Sequence, residues 1–218
     1  ALIWSDQMLN QSNISIEARI RSLTIHDEMR VELMAGQYLD VLEQALASKS
    51  VARSLKVARY KSGKYSIERP LHFGAAIATA DAKKYQAIFS NFGLPLGEAF
   101  QLRDDLLGVF GDPEETGKPA GDDLREGKPT LPLIYLLNHG SAKEKALAQQ
   151  AIQQVDTCDE AFFEEVLRTV RSSGALEYTL EQAMLEAEKA RSCLASFPEN
   201  AYTEALQKLC DYSLARSS

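Results

Sequence analysis

Near the middle of the chain stands the run Phe100-Gln101-Leu102-Arg103-Asp104-Asp105-Leu106-Leu107-Gly108. In a helix, Gln101, Asp104, Asp105 and Gly108 occupy positions i, i+3, i+4 and i+7, so they share one stripe that can face a single cavity. Two carboxylates on such a stripe can hold a hard cation through oxygen. Magnesium suits them, because it keeps its other positions for water and substrate phosphate. An aspartate pair alone is equally the mark of a solvated acidic helix face. The run that follows, Gly117-Lys118-Pro119-Ala120-Gly121-Asp122-Asp123-Leu124-Arg125-Glu126-Gly127-Lys128-Pro129-Thr130-Leu131-Pro132, weighs against that bland alternative by setting two lysines and a second aspartate pair close behind the first. Ammonium groups bind phosphate oxygens as point charges, whereas carboxylates reach phosphate only through a metal. The combination would serve a metal-bridged diphosphate; surface salt bridges are the competing explanation. A third cluster, Arg59-Tyr60-Lys61-Ser62-Gly63-Lys64-Tyr65, falls at an expected break between helices, where Gly63 lets the backbone approach a ligand. Read alone, it is a basic helix end opposing the dipole.

The elements that must position these residues are helical throughout. Apolar residues recur at helical spacing from Ser15 to about Ser48 (Ile20, Leu23, Met29, Val31, Met34, Tyr38, Leu42, Leu46), with no internal proline. Further helices are expected over Ser50 to Ser62, Tyr65 to Thr79, Ala82 to Phe110, Thr130 to Asn138, Ala142 to Val155, Asp159 to Ser172, Ala175 to Ser196 and Glu199 to Ala215. No stretch alternates as a half-buried strand does. Breakers are densest from Gly108 to Thr130, where five glycines and three prolines interrupt a charged run. Long loops of this kind inside a compact domain are commonly functional. Phe162, Phe163, Val166, Leu167 and Val170 form an apolar stripe that reads as packing.

Composition sets the outer limits. With 218 residues, 45% hydrophobic and 25% charged, the chain fits one helical domain over residues 1–218 with a sizeable core. A formal charge of −7 argues against a non-specific nucleic-acid binder, so any anionic ligand must meet lysines gathered locally. No apolar run approaches the ~20 residues of a membrane span, which makes the cytoplasm the expected compartment. Cys158, Cys193 and Cys210 are odd in number and lack CxxC spacing, as reduced structural thiols do. His26, His72 and His139 lie far apart and read as surface or packing residues; no Ser-His-Asp or Cys-His arrangement stands out.

Taken in order, Gly36-Gln37-Tyr38-Leu39-Asp40, Lys61-Ser62, Gly74-Ala75-Ala76, Phe100-Gln101-x-x-Asp104-Asp105, Gly117-Lys118 and Asp123-x-x-x-Gly127-Lys128 resemble the trans-prenyl diphosphate synthases, with Lys-Ser in place of that family's Lys-Thr. The resemblance implies an antiparallel bundle of helices around a central cavity. There an allylic diphosphate ionises and isopentenyl diphosphate attacks the resulting cation, with Mg2+ as cofactor. By position, Asp104 would ligate the metal, with Asp105, Asp122 and Asp40 as further acidic candidates. Lys61, Lys118 and Lys128 would hold the allylic diphosphate. Ser62 and Gln101 would lie near the developing cation, and Gln37 with Asp40 would complete the polar wall. The family's habit of dimerisation implies a homodimer.

Two departures from the family pattern stand out. Gly108 occupies the place of the second motif's third aspartate, a role for which Asp122 or Asp123 is the available substitute. The family's first DDxxD motif, with its arginines and the basic residues that seat isopentenyl diphosphate, does not occur in the 218 residues. The abrupt start at Ala1-Leu-Ile-Trp reads as a cut through a helix. The expectation is therefore a C-terminal portion that supplies half of a site and does not catalyse alone. A non-catalytic partner subunit is the alternative, and a terpene cyclase lacks its required NSE-type motif here.

Overall fold

Residues 2–111, 121–154 and 158–215 are described by a computed structural model of the chain, and every regular element among them is a helix. They are α1 (Leu2–Gln11), α2 (Ile16–Leu46), α3 (Val51–Ala58), a π-helical segment (Arg59–Glu68), α4 (Arg69–Ala78), α5 (Lys83–Phe110), α6 (Asp122–Arg125), α7 (Leu131–His139), α8 (Ala142–Gln153), α9 (Glu160–Ser172), α10 (Ala175–Cys193) with a 3-10 turn (Leu194–Ser196), and α11 (Ala201–Ala215). Local signals explain the ends. Ser15 accepts a hydrogen bond from the Ala18 amide and starts α2, while Ser141 and Glu144 form a reciprocal capping box at the start of α8.

The centre of the assembly is α5, against which the π segment, α10 and α11 all pack. Phe92 and Leu96 of α5 are fully buried with Ala190, Leu194 and Cys210, and Leu102 joins Leu131 and Ala183. A larger cluster at the far end gathers Val109, Leu124, Leu133, Leu136, Val166 and Val170, and includes Phe163 from the apolar stripe of α9. Fully burying side chains of this size contributes roughly 1.5–3 kcal/mol each, which makes α5 the element on which the others depend.

Pro95 lies inside α5 and donates no amide hydrogen to the Asn91 carbonyl one turn earlier. That carbonyl instead accepts from the Cys193 thiol of α10 at 3.2 Å. Cys193 therefore repairs the helix it packs against. Cys158, Cys193 and Cys210 are all free thiols, and burial pushes the Cys210 thiol above its ordinary pKa.

The break expected between Ser62 and Tyr65 does not exist. The helix runs unbroken from Val51 to Ala78, widening to π geometry through Gly63. The reason is tertiary. A Cβ on Gly36 of α2 would lie 2.5 Å from the Lys61 amide nitrogen, and one on Gly97 of α5 would collide with the Cα of Gly63. Gly63 here admits a neighbouring backbone rather than ending a helix.

Candidate functional site

A cavity of about 520 Å³ opens between the C-terminal half of α2, α3, the π segment, the last turns of α5 and residues 122–134. Its wall includes Asp40, Lys61, Ser62, Gln101, Asp104, Asp105, Asp122 and Lys128, together with Gly108 and Asp123. Residues separated by up to 88 positions thus meet in one place, and the stripe Gln101, Asp104, Asp105 and Gly108 faces it as the helical spacing predicts. Lys118 lies outside the described residues. Gln37 is exposed on α2 and is not among the residues that line this cavity. The inward face of α2 runs through Gly36, Asp40 and Glu43, at i, i+4 and i+7, and Gln37 falls beside that line.

The acidic wall is crowded. Gln101 donates to an Asp105 carboxylate oxygen at 3.0 Å, and the Leu131 amide at the start of α7 also bonds this carboxylate. Burial nevertheless dominates and, helped by the neighbouring Asp123 and Asp104 charges, pushes Asp105 up to about 7. Of the second aspartate pair, Asp123 is the member folded against the stripe. Its carboxylate fills the space that a side chain at position 108 would take, with the carboxyl carbon 2.5 Å from where a Cβ would stand. The place left empty by Gly108 in sequence is thereby filled in space by a carboxylate from another element.

Both lysines that face the cavity are tethered. Lys61 donates to Asp40 at 2.5 Å, and Lys128 donates to Asp123 at 2.5 Å and Glu126 at 2.6 Å. Burial works to lower the Lys128 pKa, but its bonds to Asp123 and Glu126 outweigh that and hold the ammonium above its usual range. An anion entering here would share or displace carboxylates already paired with these lysines.

Sequence reasoning missed two polar groups of this wall. Glu43 is 5% exposed and pairs with Arg53 at 2.9 Å, while its second oxygen has no hydrogen-bond partner among the described residues. The Thr130 hydroxyl is likewise buried and unpartnered. The spacing of Glu43 from Asp40, i+3 on one helix, was the available signal. Beyond Ser62, Tyr65 and Phe100, which line both spaces, a second cavity of about 430 Å³ is bounded by Ile67, Leu71, Leu96, Leu206 and Leu209. Its wall is largely aliphatic and aromatic.

The residues fit magnesium in a particular way. Burial first, and the neighbouring Asp123 and Asp104 charges after it, oppose a negative charge on Asp105, and a bound cation would relieve that. Yet no three His, Cys, Asp or Glu side chains among the described residues are grouped to hold a metal by themselves. Such a site suits an ion that completes its shell with water and ligand phosphate.

Among the described residues, then, an all-helical fold turns paired carboxylates and lysines toward one cavity. A family model described as Polyprenyl synthetase matches residues 3–170, and the chain belongs to that family. It is 37% identical over 143 residues to an octaprenyl diphosphate synthase of Haemophilus influenzae, covering 66% of this chain and 43% of that protein. It is 34% identical over 209 residues to a geranylfarnesyl diphosphate synthase of Aeropyrum pernix, covering 93% and 62%. A geranylgeranyl pyrophosphate synthase from Corynebacterium glutamicum, solved with isoprenyl diphosphate and magnesium, superposes with a TM-score of 0.88 at 34% identity, over 99% of this chain and 60% of that one. The matched regions thus make up 43–62% of the length of these relatives.

Proposed function

We propose that this chain supplies one wall of the active site of a magnesium-dependent enzyme that condenses isopentenyl diphosphate with an allylic diphosphate, lengthening a trans-prenyl chain by five carbons. The observation that carries the reading is the meeting of Asp104 and Asp105 of α5 with Lys61 and Lys128 in one cavity, beside an apolar chamber that shares Ser62, Tyr65 and Phe100. The relatives' names point the same way. In this reading the wall is the half of the site that holds the second aspartate-rich motif.

Asp104 and Asp105, with Asp123 in the place of a third stripe carboxylate and Asp122 beside it, would hold Mg2+. When bound, the ion would neutralise charge building on the departing diphosphate. Lys61 and Lys128 donate hydrogen bonds to diphosphate oxygens, and their charge favours the state in which the allylic C–O bond is broken. Asp40 and Asp123 orient these two lysines until the ligand shares them. The Ser62 hydroxyl and the Gln101 amide offer dipoles toward the allylic carbon as it becomes cationic. The apolar chamber takes the hydrocarbon tail and keeps water from the cation.

A homodimer belongs to the same reading. Val31, Met34, Tyr38 and Val41 fall on one side of α2 and are 57–69% exposed, a stripe that supports pairing of helices. No helix among the described residues is long and apolar enough to cross a membrane.

The test is condensation of labelled isopentenyl diphosphate with allylic diphosphates of increasing length, in magnesium. The chain would be assayed alone and fused behind the N-terminal helices of a relative. Activity in the fusion, lost on Asp104→Ala, is the expected result. Inactivity of a folded fusion would sink the catalytic reading in favour of a non-catalytic partner subunit.

A further inference from the structure

The segment Arg59–Glu68 is ten residues of continuous π-helix. Such geometry bonds i to i+5, is seldom stable by itself and occurs mostly as single-turn bulges. Something outside the segment must hold it. The contacts of Gly36 and Gly97 leave room for a wide helix and, because Gly63 alone in the segment lacks a side chain, favour the rotation that sets Gly63 against Gly97.

A partly buried ion network that lines neither cavity holds the same arrangement. Lys64 donates to Glu32 of α2 at 2.8 Å and to Glu68 at 3.1 Å. Arg69, where the helix narrows again, bonds both oxygens of Glu32 at 2.6 and 2.7 Å. Glu68 is 3% exposed and accepts from Ser90 of α5 at 2.6 Å. Burial alone would lower the Lys64 pKa, yet its two carboxylates hold it above its ordinary value. Turning the segment would carry Lys64 and Arg69 away from Glu32 and Glu68 away from Ser90, leaving half-buried and buried charges short of partners, an unfavourable arrangement. None of these four charged residues lines either cavity.

We infer that Glu32, Lys64, Glu68 and Arg69 act as a positioning device, helping to fix the register of the wide helix so that Lys61 and Ser62, three and two residues before Lys64 and on the other side of the helix, face the diphosphate. The inference rests on the diphosphate reading of the cavity. An α-helical relaxation of the same ten residues would lengthen and rewind the segment, carrying Lys61 and Ser62 away from Asp104 and Lys128. Lys64 then acts on the ligand only through Lys61 and Ser62.

Calorimetric titration of the chain with inorganic pyrophosphate in magnesium tests this. Lys64→Met is expected to weaken binding about 10-fold, and Lys64→Arg to restore most of it. The loss should vanish when Lys61 and Ser62 are both already alanine, because a positioning effect has nothing left to position. Amide hydrogen exchange should accelerate within residues 59–68 and not in α7 to α9. Where Lys64→Met fails to fold, Glu32→Gln replaces it, leaving the Lys64–Glu68 pair in place. Undiminished binding in a folded variant, or losses that add in the triple variant, would overturn the inference while leaving the site reading intact. No binding by the unaltered chain would instead overturn the site reading, and this inference with it.

Discussion

The two long walls of the cavity are built on opposite logics. Along the last turns of α5, the positions of Gln101, Asp104, Asp105 and Gly108 follow from their own helix: ordinary α geometry puts i, i+3, i+4 and i+7 on one side, and a buried apolar face fixes which side looks inward. Across the cavity, Lys61 and Ser62 sit on a helix whose geometry its own residues do not favour. It exists because Gly36 and Gly97 let two backbones close in and because Glu32, Lys64, Glu68 and Arg69 lock the turn. A locally determined wall tolerates changes in its neighbours; a context-determined wall transmits them. The first should fail only when its own groups are altered.

The sharpest break of that contrast is Gly97→Ala. Its methyl group meets the Gly63 backbone, which has no flexible side chain to yield, so a loss of about 3 kcal/mol in urea unfolding is expected. Faster amide exchange should be confined at first to residues 59–68. An unchanged Tm would mean that the glycine contact does not hold the wide helix. Next comes Asp104→Asn, for which magnesium-dependent pyrophosphate affinity should fall by about 100-fold, with little change in the unfolding midpoint. A large loss of stability instead would mean that the acidic wall also depends on context.

The third prediction concerns position 108. Gly108→Asp drives two carboxylates into one space, and a loss of roughly 10-fold in the same affinity is expected, on the scale of disturbed outer ligands. Adding Asp123→Gly should restore most of it. Failure of the double variant to recover would show that Asp123 is needed for Lys128 rather than for the stripe. The last prediction is a pH dependence. Because Asp105 is pushed up to about 7 in the fold, the folded chain holds a proton there that the unfolded chain has lost. In metal-free solution it therefore loses stability as pH rises from about 4 to about 7. Asp105→Asn should raise Tm by a few degrees at pH 8 and leave it unchanged at pH 4. Equal differences at both pH values would contradict the burial of that charge.

How much of this was legible in the sequence divides along the same line. Helix periods and the stripe on α5 are short-range patterns, and a reading at 3.6-residue spacing finds them. The wide helix was invisible because the rule applied to Gly63, a breaker between two helices, describes a glycine facing water. The relevant fact is that Gly97, 34 residues later, lies against it. Gln37 was placed in the cavity's wall by family motif, and it stands exposed beside the helical line through Gly36, Asp40 and Glu43. Lys64 read as one charge of a basic helix end, and Glu68 was not singled out. Only the approach of Glu32 and Ser90 from two other helices turns them into a partly buried network.

One consequence of the Gly108 seat reaches past the stripe to the lysine beside it. The Asp123 carboxylate that lies where a side chain at position 108 would begin is the same one that accepts from Lys128. A side chain at position 108 would have to turn that carboxylate aside, so the choice of residue on α5 also sets how firmly the ammonium across the loop is held.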